Sequence, residues 1–149
     1  MAIKYDEKSC GIILFREEKG EKLFLLLHYP SGHFDFPKGH VESHDLDEHG
    51  TVMRELFEET GIEDLVFLKG FREAVSYTYA RQAHDSARGK IGTKSHKQVI
   101  YFLGKTNSKN ITMSHVHKGY LWLPYAKALR KITFPNTKKL LEKAKKHLL

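Results

Sequence analysis

Three carboxylates, Glu55, Glu58 and Glu59, stand at i, i+3 and i+4 of the segment Arg54-Glu55-Leu56-Phe57-Glu58-Glu59-Thr60-Gly61-Ile62. On a helix they share one face, where neighbouring acids repel by roughly 0.2–0.5 kcal/mol per pair unless a cation lies among them. A ligand set of carboxylate oxygens suits Mg²⁺, with Mn²⁺ the alternative. A cation held there would neutralise anionic oxygens of a substrate and lower the pKa of a bound water. Glu58 or Glu59 is placed to double as the general base. Arg54 lies four residues before Glu58 and can pair with it, fixing that carboxylate's orientation.

That face needs a helix, and the flanking residues supply one. Asp45 is expected as the N-cap, with Glu48 completing an acidic form of the capping box. Asp47 adds negative charge where a helix N-terminus favours it. Val52, Met53, Leu56 and Phe57 recur at helical spacing as the apolar face. Gly50 is a local weakness of roughly 1 kcal/mol against alanine, and Gly61 is the C-terminal stop. Before the helix, Cys10 to Phe15 and Leu23 to Tyr29 read as buried strands, and residues 33–36 as an extended piece leading through Pro37 to Gly39. After it, strands are expected over 65–68, 71–79, 98–103 and 120–123, with helices begun by Pro124 and Pro135. The order describes an α/β sheet covered by helices. Residues 81–96 show neither period and read as a long loop. Arg81, Arg88, Lys90 and Lys94 in it, and Lys97 just beyond, could turn positive charge toward a phosphate chain.

A chain of 149 residues reads as one domain, 1–149. No apolar run reaches the roughly 18 residues that cross a bilayer, and the polar start is no signal peptide. No membrane partner is expected. The single cysteine, Cys10, rules out an internal disulfide and fits a reducing compartment, so the expected location is cytoplasmic. Within its apolar run Cys10 reads as a core residue. A net charge of +7 suits a polyanionic ligand. Much of it falls in 138–147, where Leu140, Leu141, Ala144 and Leu148 form an apolar stripe and the lysines a solvated outer face. No aromatic interleaving marks an RNA-binding surface there.

The helix and the Gly39 loop resemble the signature of the Nudix hydrolases, G-x5-E-x7-R-E-U-x-E-E-x-G-U, with U aliphatic. Arg54, Glu55, Leu56, Glu58, Glu59, Gly61 and Ile62 match it position for position. Counted forward from Gly39, the first acid falls on Asp45, with one residue too many before Arg54. Counted back from Arg54, it falls on Leu46. A single insertion between Asp45 and Thr51 accounts for both counts. The resemblance implies a Nudix-type α/β/α sandwich with a mixed sheet, and the Gly39 carbonyl as a metal ligand beside Glu55, Glu58 and Glu59.

From Gly11-Ile12-Ile13-Leu14-Phe15 through Phe36-Pro37-Lys38-Gly39-His40 to Ser114-His115-Val116-His117-Lys118-Gly119-Tyr120, the chain is most similar to the asymmetric bis(5′-nucleosyl)-tetraphosphatases. That likeness implies His33 and Lys38 near the phosphate chain, Lys97 as a second phosphate-contacting lysine, and Tyr77 and Tyr120 at adenine or phosphate. It also implies a nucleoside polyphosphate substrate, diadenosine tetraphosphate, cleaved to ATP and AMP. Stacking on an aromatic ring is worth about 1–3 kcal/mol per base. His115 and His117 have no cysteine partner and are not read as zinc ligands. Two alternatives stay open. One is a Nudix reaction on another nucleoside polyphosphate, a diphosphoinositol phosphate or, as the only RNA partner, a capped 5′ end. The other is a nucleotide-binding module that has lost catalysis.

Overall fold

The structure, a computed structural model, describes residues 5–80 and 92–149. Its elements run β1 (Glu7–Glu18), β2 (Glu21–His28), β3 (Phe34–Asp35), β4 (Lys38–His40), α1 (Glu48–Thr60), β5 (Val66–Ala80), β6 (Lys94–Lys105), β7 (Gly119–Pro124), α2 (Tyr125–Lys131) and α3 (Pro135–His147).

The centre of β1, Cys10 to Phe15, is apolar because both of its faces are covered. Cys10, Ile12 and Leu14 meet Val52 and Leu56 of α1 on one side. Ile13 and Phe15 meet Ala128, Ile132, Leu140, Leu141 and Ala144 of α2 and α3 on the other. Full burial of one such side chain contributes roughly 1.5–3 kcal/mol. The result is a mixed sheet between helices, the expected α/β/α sandwich. β6 runs parallel to β1 from Glu7 to Phe15 and takes most of one edge of it. The other edge must be shared. β4 pairs with Ser9 to Gly11, and β2 with Phe15 to Glu18. The sheet therefore forks, with β7 and β3 continuing from β2 and β5 continuing from β6.

Several boundaries differ from the sequence reading. Asp47, not Asp45, caps α1, its Oδ1 accepting from Gly50 N at 2.7 Å. The Asp45 carboxylate is taken by Arg54 instead. Glu48 closes no capping box but pairs with Lys8 and Arg72. Only Val52 and Leu56 of the expected apolar face are buried, while Met53 and Phe57 stand half exposed. Gly61 ends the helix as expected, in the left-handed region at φ 75°. The two strands expected around Gly70 are one, β5, with a register shift between Phe67 and Arg72. β6 starts at Lys94, inside the expected loop, because it pairs with the far end of β5 up to Ala80. Arg81, Arg88 and Lys90 lie outside the described residues.

Candidate active site

Arg54 organises the start of the carboxylate helix. Its Nε donates to Asp45 Oδ1 at 2.8 Å, and Nη2 to Asp45 Oδ2 at 3.0 Å and to the His40 carbonyl at 2.8 Å. Nη1 donates to Glu55 Oε1 at 2.9 Å and lies 3.3 Å from Glu58 Oε2. All five guanidinium donors are thereby engaged. The guanidinium holds the Asp45 carboxyl well below the usual carboxylate range, helped by the Glu42 N–H and Thr51 hydroxyl. The forward count from Gly39, which puts the motif's acid on Asp45, is thus the one that the fold uses.

Glu55 lies against the backbone of Gly39. A Cβ on Gly39 would stand 1.9 Å from Glu55 Cδ, so only glycine admits this approach. Glu59 turns inward beside it. Burial first, and then the Glu55 charge, push the Glu59 carboxyl well above its ordinary value, and burial also raises Glu55. Glu59 Oε2 is buried without a hydrogen-bond donor, the nearest basic group being His117 Nε2 at 4.0 Å. Two adjacent, poorly solvated carboxylates with an orphaned oxygen form a place short of positive charge. Oxygen ligands and excess negative charge fit a hard divalent cation. Glu58 sits at the rim, its side chain 54% exposed and turned to Arg54. As the side chains lie, no three acids, histidines or cysteines among the described residues already converge in ligand geometry.

On the other side of β4 is a cleft of about 510 Å³ lined by Lys38, Tyr77, Tyr79, Lys97, Phe134, Pro135 and Asn136. Three of the expected substrate residues, Lys38, Tyr77 and Lys97, therefore meet. Lys38 Nζ is 3.1 Å from the buried Asp35 carboxylate. Its charge bears on both Glu59 and Tyr77, which places the ammonium between the carboxylate helix and the cleft. His33 joins the same region. Its ring stacks on Tyr29 at 4.7 Å and reaches Phe134 at 5.1 Å, and burial lowers its pKa.

Tyr120 does not join them. It pairs with Leu27, and directly paired residues share a sheet face, so it belongs to the α1 side. His117 packs edge-on against Tyr29 at 4.8 Å, while His115 is exposed in the preceding turn. The sequence reading did not single out Tyr29, Asp35 or the Phe134-Pro135-Asn136 corner. Tyr29 is half-buried, hydrogen-bonded to the Phe36 carbonyl at 2.6 Å, and lies within the fields of Glu59, Asp35 and Glu55. Asp35 carried a signal in sequence, an acid three residues before Lys38 inside an apolar stretch. The corner carried only its proline.

Residues 7–144 match the NUDIX domain. The chain belongs to the Nudix family. It is 31% identical, over 91% of its length and 92% of the relative's, to the asymmetrical bis(5′-nucleosyl)-tetraphosphatase of Caenorhabditis elegans. The crystal structure of a C. elegans Ap4A hydrolase binary complex superposes with a TM-score of 0.78 at 30% identity, covering 95% of this chain and 97% of that one. The NUDIX domain of Shewanella oneidensis NrtR, crystallised with ADP ribose, shares the fold with a TM-score of 0.70 at 17% identity, covering 99% and 91%. This chain is a Nudix hydrolase, and Nudix enzymes generally use divalent metals such as Mg²⁺.

Proposed function

We propose that this Nudix hydrolase cleaves diadenosine tetraphosphate asymmetrically to ATP and AMP, with Mg²⁺ held by Glu55, Glu58, Glu59 and the Gly39 carbonyl. The observation that carries the reading is the juxtaposition of two unlike surfaces across β4. A carboxylate site short of positive charge lies on one side, and a cleft walled by aromatic rings and two lysines lies on the other. A substrate with anionic phosphates and a flat base at its end suits that pair of surfaces. The named activity of the C. elegans relative supports the same substrate.

Bound Mg²⁺ supplies neutralisation of phosphate oxygens and a water of lowered pKa. Glu58 or Glu59 accepts the proton of the attacking water, and Arg54 keeps Glu55 and Glu58 oriented. Lys38 and Lys97 hold phosphate oxygens as negative charge moves toward the leaving group. His33, stacked on Tyr29, borders the phosphate path. Tyr77, Tyr79 and Phe134 pack one base, and Tyr120, on the α1 side, is placed for the other end of the substrate. We place the whole chain in one domain and in the cytoplasm. A single buried cysteine, and no described helix long and apolar enough to cross a membrane, accord with this.

The test is incubation of the purified chain with diadenosine tetraphosphate and Mg²⁺, with the nucleotides resolved. Equal ATP and AMP, abolished by EDTA, is the expected result. Two ADP per substrate would refute the asymmetric cut, and full turnover by both Glu58→Gln and Glu59→Gln would remove the metal assignment.

A further inference from the structure

Glu7 opens β1 with a carboxylate that is almost wholly covered, its side chain 3% exposed. Oε2 accepts from Ser95 Oγ at 2.5 Å and from the Tyr79 hydroxyl, and Oε1 lies 3.2 Å from His40 Nε2. A buried carboxylate is costly unless donors surround it. Here they come from β4, β5 and β6. Joining strands does not require this, since apolar side chains of similar volume join them at least as well. The arrangement does one thing that apolar packing would not. It ties down the hydroxyl of Tyr79 while the ring lines the cleft beside Tyr77, Lys97 and Phe134.

We propose that Glu7 is a positioning residue for base recognition, its carboxylate clamping Tyr79 so that the ring stands as a fixed wall for the purine end of the ligand. The proposal rests on the cleft being the nucleoside subsite. A Tyr side chain immobilised before binding spares the complex the entropy of ordering it. Tyr79→Phe leaves the Glu7–His40 contact, and with it β4 and the carboxylate helix, in place, so its loss of the clamp should show in affinity for the base and leave the chemical step alone. Tyr79→Phe keeps the ring and removes only the tied hydroxyl. Glu7→Gln keeps the side chain's shape and removes the charge that holds it.

The test compares AMP with ribose 5-phosphate by calorimetric titration of the full chain. These ligands share the phosphate and sugar and differ in the base, and neither has a phosphoanhydride bond to cleave. The wild-type chain should prefer AMP. Each variant should weaken AMP by roughly three- to ten-fold, about the cost of one loosened side chain, and leave ribose 5-phosphate unchanged. The double variant should be no weaker than Glu7→Gln alone, because that substitution already loosens the Tyr79 contact. In the tetraphosphate assay, Tyr79→Phe should raise KM at unchanged kcat. A wild-type chain that binds both ligands equally would overturn the proposal. So would unchanged AMP binding in Tyr79→Phe, or both ligands weakened in parallel with a lower melting temperature, the mark of a staple between strands. Should Glu7→Gln not fold, Tyr79→Phe decides alone. Failure to produce ATP and AMP would count against the substrate only, since the titration does not use turnover.

Discussion

Gly39→Ala separates the site's geometry from the fold's stability. The new methyl would lie 1.9 Å from Glu55 Cδ and 2.1 and 2.3 Å from its oxygens, where ordinary contact begins at 3.4 Å. The carboxylate must therefore retreat by about 1.5 Å (3.4 − 1.9). The backbone accepts alanine, because Gly39 is not among the glycines of positive φ. The displaced atoms end a flexible side chain, so the fold should lose no more than about 1 kcal/mol, or roughly 2–4 °C in melting temperature for a domain near this size. The chemistry has no such freedom. A misplacement of about 1 Å costs on the order of 100-fold in rate, or roughly 2.7 kcal/mol of barrier. Initial rates on diadenosine tetraphosphate across a Mg²⁺ series, with thermal denaturation alongside, measure both. Turnover should fall about 100-fold with a raised Mg²⁺ requirement and a nearly unchanged melting temperature. Wild-type rates at wild-type Mg²⁺ would refute the placement of the metal between Gly39 and Glu55.

Asp45→Asn removes the charge that holds Arg54 at two donors and should lower metal-dependent turnover by roughly 10- to 100-fold, the usual effect of losing a supporting partner; an unchanged rate would make Asp45 a bystander. Gly61→Ala forces a side chain into φ 75°, where its Cβ meets nothing nearer than Thr112 Cβ at 3.5 Å. The cost is conformational alone, about 1–2 kcal/mol by chemical denaturation with activity retained. Glu7 gives a pH signature. Burial pushes its carboxyl up, but the bonds from Ser95, Tyr79 and His40 outweigh burial and hold it at about 2, against an ordinary 4.5. A folded value below the unfolded one means that the unfolded chain takes up the proton first. Glu7's contribution is thus whole above about 4.5 and is lost as the pH falls toward about 2. The gap in melting temperature between wild type and Glu7→Gln should close across that window, and a gap constant with pH would count against it.

What could be read from the sequence was whatever local spacing encodes. The carboxylate helix, its stop at Gly61 and the buried stripe of α3 each announce themselves within a turn or two of chain. The helix start was misjudged because Asp45 and Asp47 are equally good caps in isolation. The choice is made by Arg54, nine residues beyond Asp45, whose guanidinium takes that carboxylate. Met53 and Phe57 were misplaced for a similar reason. Helical spacing marks an apolar face, but the sheet reaches only the part of it that carries Val52 and Leu56. Glu7 gave no signal at all, since its donors arrive from Tyr79, Ser95 and His40, each on a different strand.

The tyrosines show where strand geometry separates residues that a likeness of motif groups together. Side chains alternate across a strand, so a residue's face is set by register, and register is a property of pairing. Tyr77 pairs with Lys97 and looks into the cleft; Tyr120 pairs with Leu27 and looks toward α1. The same alternation makes β4 useful. Its neighbours Lys38 and Gly39 pair with Gly11 and Cys10 and so turn to opposite faces, one to the cleft and one to Glu55. Within the interior of a sheet those faces would be sealed from each other. β4 pairs with β1 alone among the described strands, and away from β1 its His40 carbonyl accepts from Arg54. In the proposed reaction the phosphate chain passes β4, with its base on the lysine side and its scissile bond at the carboxylates. In that proposal, two consecutive residues at the border of the fork join the base-binding surface to the metal-binding one.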